Sequence, residues 1–340
     1  MATTEDQRLS PPSVTGGTAE LGSPAAAAEG ISSPILDAEI GAPTRVSSPL
    51  RDAWRRFRHN WAAMISLGVI LIIVIMAVFA PFMHTSNPLN PNYLYLNGAP
   101  NGSNWFGTDG LGRDIYSRIV YGLRPPLLVG LIGTAITVIV GTGIGITAGY
   151  FGGVIDNLLS RFTDLIFAFP AFLLAILVVS LYGSVLDPVF GGAGRVILLT
   201  IVFAGVSWPP LTRFVRSLAL GLREQQFVEA ARTSGSSSFK IIWRHLLPNI
   251  YGLLLVQASL ITVGIIYNET TLSIFGLGVA PPNPDLGQMV YDGASQLGTG
   301  VQAGIFAETI FPAVFLAVML LAFSFIGDGV RDAFDPRMNS

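Results

Sequence analysis

Apolar runs of near-uniform length punctuate the chain at Met64–Phe82, Leu127–Tyr150, Ile166–Tyr182, Val196–Phe214, Tyr251–Phe275 and Phe306–Ile326. Each is close to the roughly 20 residues that carry an α-helix through a bilayer. The pattern predicts an all-α polytopic membrane protein with six transmembrane helices over residues 64–330. Inside the second run, Gly141, Gly145 and Gly149 recur every four residues and predict a flat ridge for close helix packing. Pro170 is expected to kink the third span, and Pro209 with Pro210 the fourth.

The polar intervals are as patterned as the runs. Residues 1–50 are rich in Pro, Ser, Ala, Gly and Thr and lack Phe, Tyr and Trp. Such a segment cannot bury enough apolar surface to offset its ordering entropy, so it reads as a disordered tail. It has neither the basic nor the apolar region of a signal peptide. Residues 51–63 place Trp54, Phe57 and Trp61 at i, i+3 and i+7, with arginines mostly opposite. That spacing predicts an interfacial amphipathic helix among anionic lipid headgroups.

The loop 216–249 is the most elaborate interval. Good helix formers run from Glu224 to Ser234, Gly235 and three serines stop them, and Phe239, Ile242, Trp243 and Leu246 then recur on one face. The pattern predicts a short helix, a tight turn at Gly235 and a second helix along the membrane that Pro248 ends before span five. Ala230 and Ala231 keep one face small enough for another protein to approach, and Glu229 offers a carboxylate beside them.

Composition narrows the function classes. Only 12% of residues are charged and mean hydropathy is +0.59, whereas soluble domains carry about 25% charge. There is no cysteine, which excludes disulfides, thiolate metal sites and a Cys nucleophile. The single lysine, Lys240, follows Phe239, so no G-K-[ST] phosphate cradle exists, and any ATP chemistry, with its Mg, must sit on a partner. His59, His84 and His245 are scattered, with no H-E-x-x-H or G-x-S-x-G, so neither a metal site nor catalytic residues are expected. A net charge of −2 gives no nucleic-acid signature.

Arginine sets the orientation. Arg51, Arg55, Arg56 and Arg58 precede span one, Arg213, Arg216, Arg223, Arg232, Lys240 and Arg244 lie between spans four and five, and Arg331 and Arg337 follow span six. No Lys or Arg lies between spans five and six. The positive-inside rule therefore puts both termini, 331–340 included, and the 216–249 loop in the cytoplasm. Arg113, Arg118 and Arg124 fall outside, accompanied by Asp109 and Asp114. Asp164 sits at the start of span three and Glu269 near the outer end of span five. With Pro170, they are the candidates for a pathway or gate. No file of acids and histidines crosses the bilayer, which disfavours a proton-coupled secondary transporter.

Five stretches carry a family resemblance. Glu229-Ala230-Ala231, Gly235 and Leu247-Pro248 resemble the E-A-A loop of ABC-importer permeases. Phe106-Gly107-Thr108-Asp109 with Gly112-Arg113-Asp114, and Leu272-Ser273 with Gly276 and Gly278, are similar to the C-type permease of dipeptide, oligopeptide and nickel importers. So are Pro281-Pro282-Asn283-Pro284 and Gly327-Asp328-Gly329 through Arg337. The likeness covers about 51–337 and departs from the pattern at Pro125-Pro126 and at Leu286.

The resemblance implies a MetI-like bundle in a bacterial inner membrane, importing peptides or, in relatives, nickel or glutathione-like solutes. It implies a homologous second permease, two cytoplasmic ATPase subunits and an extracytoplasmic solute-binding protein as partners. Glu229, Ala230, Ala231 and Gly235 would then be the contact and hinge of an ATPase-coupling interface that also includes Leu247 and Pro248. His245 stands where that pattern often has Ile and is not expected to be a contact. The segment around Asp109, Gly112, Arg113 and Asp114 would be a compact outer turn, either touching the binding protein or satisfied within itself.

Overall fold

A computed structural model describes residues 49–190, 193–300 and 302–334. The predicted tail up to residue 48, and Asp335, Pro336 and Arg337 of the C-terminal motif, lie outside them. Among the described residues, six helices are long and apolar enough to span a membrane. In chain order the helices are α1 (Pro49–His59), α2 (Trp61–Val78), α3 (Ala80–Met83), α4 (Ile115–Gly122), α5 (Arg124–Phe151), α6 (Gly153–Phe167) and α7 (Ala171–Phe190). They continue as α8 (Ala193–Arg223), α9 (Gln226–Thr233), α10 (Ser238–Ile241), α11 (Leu247–Ile274), α12 (Leu286–Gln296) and α13 (Ala303–Phe334).

Local chemistry explains where these helices begin. Asn60 ends α1 and starts α2, its side-chain oxygen accepting from the Ala63 amide at 3.2 Å. The first interval is therefore a helix that stops at His59, and not one continuing to residue 63. Its aromatic face also divides. Trp54 and Trp61 are exposed, while Phe57 is buried with Ala53 against Ala63 and Ala333. One side of α1 is thus held on the end of span six. Pro125 and Pro126 occupy the first turn of α5, where a missing N–H breaks no helical bond.

One proline expectation needs correction. Pro170 precedes α7 and does not kink it, because the third span is Ala171–Phe190. The residues assigned to its start belong to α6, a separate helix carrying Asp156, Arg161 and Asp164. In the fourth span, α8 runs unbroken through Pro209 and Pro210.

The glycine ridge does pack, and its partner is α8. A Cβ on Gly145 would stand 2.7 Å from the Thr212 carbonyl oxygen, and one on Gly149 would stand 2.7 Å from that of Arg216. The Thr212 hydroxyl donates to the Gly141 carbonyl at 3.2 Å across the same seam. A second apolar cluster joins α2, α4 and α13 through Ile70, Ile73, Ile119, Leu316 and Met319. Leu286, where the chain departs from the family pattern, is fully buried in it.

Gly145→Val should therefore be damaging, because no side chain there can rotate away from a backbone oxygen. Overpacking of this kind costs about 1–3 kcal/mol. Gly143, two residues away, has no heavy atom within 4 Å of where a Cβ would lie. Thermal melting of the detergent-purified protein should show a lower transition for Gly145→Val and an unchanged one for Gly143→Ala.

Candidate coupling site

The loop between α8 and α11 is built by a helix stop followed by a restart. At the end of α9, the Gly235 amide donates to the Arg232 carbonyl at 2.9 Å and the Ser236 amide to that of Ala231 at 3.0 Å. This paired pattern needs a left-handed residue, and Gly235 supplies it at φ 78°. The Ser234 and Thr233 hydroxyls satisfy the Ala230 carbonyl at 2.7 and 3.0 Å. Ser237 then caps α10 by accepting from the Lys240 amide at 3.4 Å.

The second helix differs from its expected form. After α10 the backbone passes through one π-helical stretch, Ile242–Leu246, and enters α11 directly. Pro248 does not end that helix; it sits in the first turn of α11, where its absent N–H is harmless. The extra residue in the π-helical stretch also rotates the expected face apart. Leu246 is buried and Ile242 partly buried, while Phe239 and Trp243 are 71% and 57% exposed, with ring centroids 5.9 Å apart.

The inward side of the loop seats on the α5–α8 seam. Val228, Ala231, Ile241 and Leu246 pack with Ile146 and Tyr150 of α5 and with Val215 and Ala219 of α8. The Arg232 guanidinium lies over the Tyr150 ring at 5.1 Å, a cation–π contact that ties α9 to the end of α5. Ala231 is therefore an inward packing residue at 8% exposure. Glu229, Ala230 and Gly235 face outward. Leu247 packs at the edge of the cluster, and His245, half-buried, has its ring 6.3 Å from that of Phe227.

The other candidate residues are not brought together into one site. Asp164 is exposed and pairs with Arg213 at 2.7 Å, whose guanidinium lies over Phe167 at 4.3 Å. Pro170 is exposed between α6 and α7. Glu269 is buried near the C-terminal end of α11, with the Thr270 hydroxyl 3.4 Å from its carboxylate. Sequence reasoning missed Asp156, which takes a two-pronged pair from Arg216, one arm at 2.7 Å. Hydrogen bonds from Arg216 hold the Asp156 carboxyl below its ordinary range. The partners lie 60 residues apart, so no local spacing signals them.

The segment from Asp109 to Asp114 is organised by its own buried charges. Asp109, fully buried, accepts from the Leu111 and Arg113 amides at 2.9 and 2.8 Å and from the Arg113 guanidinium at 2.7 Å. Asp114 caps α4, receiving the Ser117 amide at 2.8 Å and the Thr85 hydroxyl at 2.6 Å. Gly112 turns at φ 73° with the Asn92 carbonyl against its α-carbon, a place for no side chain. These four residues fold the segment; their side chains are not offered to solvent.

Comparison with known proteins fits this geometry. Residues 141–340 match the family described as binding-protein-dependent transport system inner membrane component. The chain belongs to this family. Residues 48–100 match the N-terminal TM domain of oligopeptide transport permease C. The chain is 38% identical over 289 residues to the oligopeptide transport system permease protein OppC of Haemophilus influenzae, covering 84% of this chain and 88% of that one. It is 36% identical over 293 residues to the dipeptide permease DppC of Alkalihalophilus pseudofirmus, covering 86% and 91%. Against the glutathione permease GsiD of Pectobacterium atrosepticum it is 35% identical over 296 residues, covering 87% and 93%. The protein is thus a multi-pass transport permease.

Gly235→Val should strain the turn by about 1–2 kcal/mol, since a left-handed conformation sets Cβ against the following carbonyl. Amide hydrogen exchange across residues 226–246 should accelerate by roughly 5- to 30-fold. Exchange in α2 should be unaffected.

Proposed function

We propose that this permease forms half of a transmembrane pathway for peptides and is driven by ATPase subunits that dock on its 216–249 loop. The observation that carries the proposal is the outward strip of Glu229, Ala230, Gly235, Phe239 and Trp243 on a loop whose inner side is packed into the α5–α8 seam. A loop fixed in this way moves with its helices. ATP-driven closure of the ATPases would carry the strip along and tilt the bundle as a rigid body between inward-open and outward-open states.

The chemistry assigns a role to each part. Ala230 leaves room for a close protein surface, Glu229 offers a carboxylate to a partner cation, and the Phe239–Trp243 pair supplies apolar anchoring area of the kind found at interface hot spots. Leu247 and Pro248 connect this strip to span five. The chain has no G-K-[ST] sequence, so ATP and Mg belong to the partners. A homologous second permease completes the pathway, and an extracytoplasmic solute-binding protein delivers the cargo. The arginine asymmetry supports a cytoplasmic loop and cytoplasmic termini. Peptide is the favoured cargo because the relatives carry dipeptide, oligopeptide and glutathione in their names, and all three are peptides.

The test is Glu229→Arg in the complex reconstituted with its ATPases and binding protein. Peptide uptake and peptide-stimulated ATP hydrolysis should both fall by tenfold or more, as expected when about 1.4 kcal/mol or more of coupling is lost. Membrane insertion and thermal stability should be unchanged, because Glu229 is exposed. Wild-type coupling in this variant would remove the docking role from the strip.

A further inference from the structure

Span five carries a half-buried polar stripe whose two carboxamides find no partner in the described residues. Gln257, Gly264, Asn268 and Thr271 fall at i, i+7, i+11 and i+14 of α11, within one narrow sector of the helix. None of the four is buried, and Tyr267 beside them is exposed. Among the described residues, none hydrogen-bonds the Gln257 or Asn268 carboxamide. Gly264 opens the middle of the stripe, with no heavy atom within 4 Å of where a Cβ would lie. The opposite face of α11 is buried, through Thr262, Ile266 and Ser273.

Depth makes this face unusual. Gln257 is ten residues past Leu247, about 15 Å along the helix and near the middle of a bilayer's hydrocarbon. A carboxamide there loses its hydrogen bonds if it meets lipid. The open face of α2 shows what a lipid-facing surface looks like in this protein, with Ile65, Leu71, Ile72, Ile75 and Val78 exposed and no polar side chain among them.

We infer that the Gln257–Thr271 stripe of α11 lines the water-filled pathway and contacts the main chain of a passing peptide. A carboxamide both donates and accepts, so Gln257 and Asn268 can pair with peptide N–H and C=O groups whatever side chains the peptide carries. The stripe holds no charge, so it neither selects nor traps a charged cargo. It runs from mid-depth to the outer end of the span, as a track would and an isolated packing contact would not. The inference rests on the proposed transport function and assigns that function's contact residues.

The chain has no cysteine, so single substitutions can be read without background. Gln257→Cys, Asn268→Cys and the lipid-facing control Ile72→Cys would each be assembled with cysteine-free partner subunits in vesicles. Each would then be exposed to a charged, membrane-impermeant methanethiosulfonate. The two stripe positions should react about tenfold or more faster than Ile72→Cys, because only a wetted thiol ionises. Trialanine with the binding protein should slow them. Reaction as slow as the control would overturn the inference. Labelling is read apart from uptake, so a labelled complex that fails to carry peptide counts against the peptide reading alone.

Discussion

Direct backbone contact between α5 and α8 is the constraint on which the rest of this protein depends. In a bilayer, lipid removes most of the hydrophobic drive for helices to associate, and close packing must supply it. Gly141, Gly145 and Gly149 have no side chains to hold the neighbour away, so the carbonyls of Trp208, Thr212 and Arg216 come against the ridge. Dispersion contacts are individually weak and collectively strong only at such distances. The seam therefore fixes where the C-terminal ends of both helices lie. Ile146, Tyr150, Val215 and Ala219 become a platform there, and α9 and the π-helical stretch rest on it.

The charged residues serve the same architecture. Asp156 and Arg216 bind α6 to α8, and Asp164 with Arg213 repeats the tie further along. The first pair is the more sheltered of the two, so it is the better held against solvent screening. On the other side of the molecule, Asp109 gathers backbone and guanidinium donors to close a turn around Gly112. Charge in this permease mostly positions helix ends. The uncharged stripe on α11 and the outward strip of the loop are the surfaces proposed for recognition.

Much of this was legible in the sequence because its signals are local. Apolar runs near bilayer length give spans, a four-residue glycine repeat gives a packing ridge, and Gly235 before serines gives a stop and restart. The errors share one cause. Periodicity reports that a helix has a face, but not what meets it. Ala231 and Ala230 look alike in the chain, yet one turns toward Tyr150 and Val215 and the other toward solvent. Phe57 shares its spacing with Trp54 and Trp61 and is nonetheless taken inward by Ala333. Pro248 carries an ambiguous signal, since proline both ends helices and opens them. The π-helical turn before it, which decided the matter, has no sequence signature of its own.

The central claim is that the loop and the α5–α8 pair move as one body. Spin labels at Ala230→Cys and Ser217→Cys, one on α9 and one on the exposed side of α8, measure it by pulsed dipolar spectroscopy in the assembled complex. The distance distribution between them should stay the same and equally narrow in the nucleotide-free and ATP-bound states. A shift or a marked broadening on ATP binding would mean that the loop swings independently of its helices, and would contradict the account.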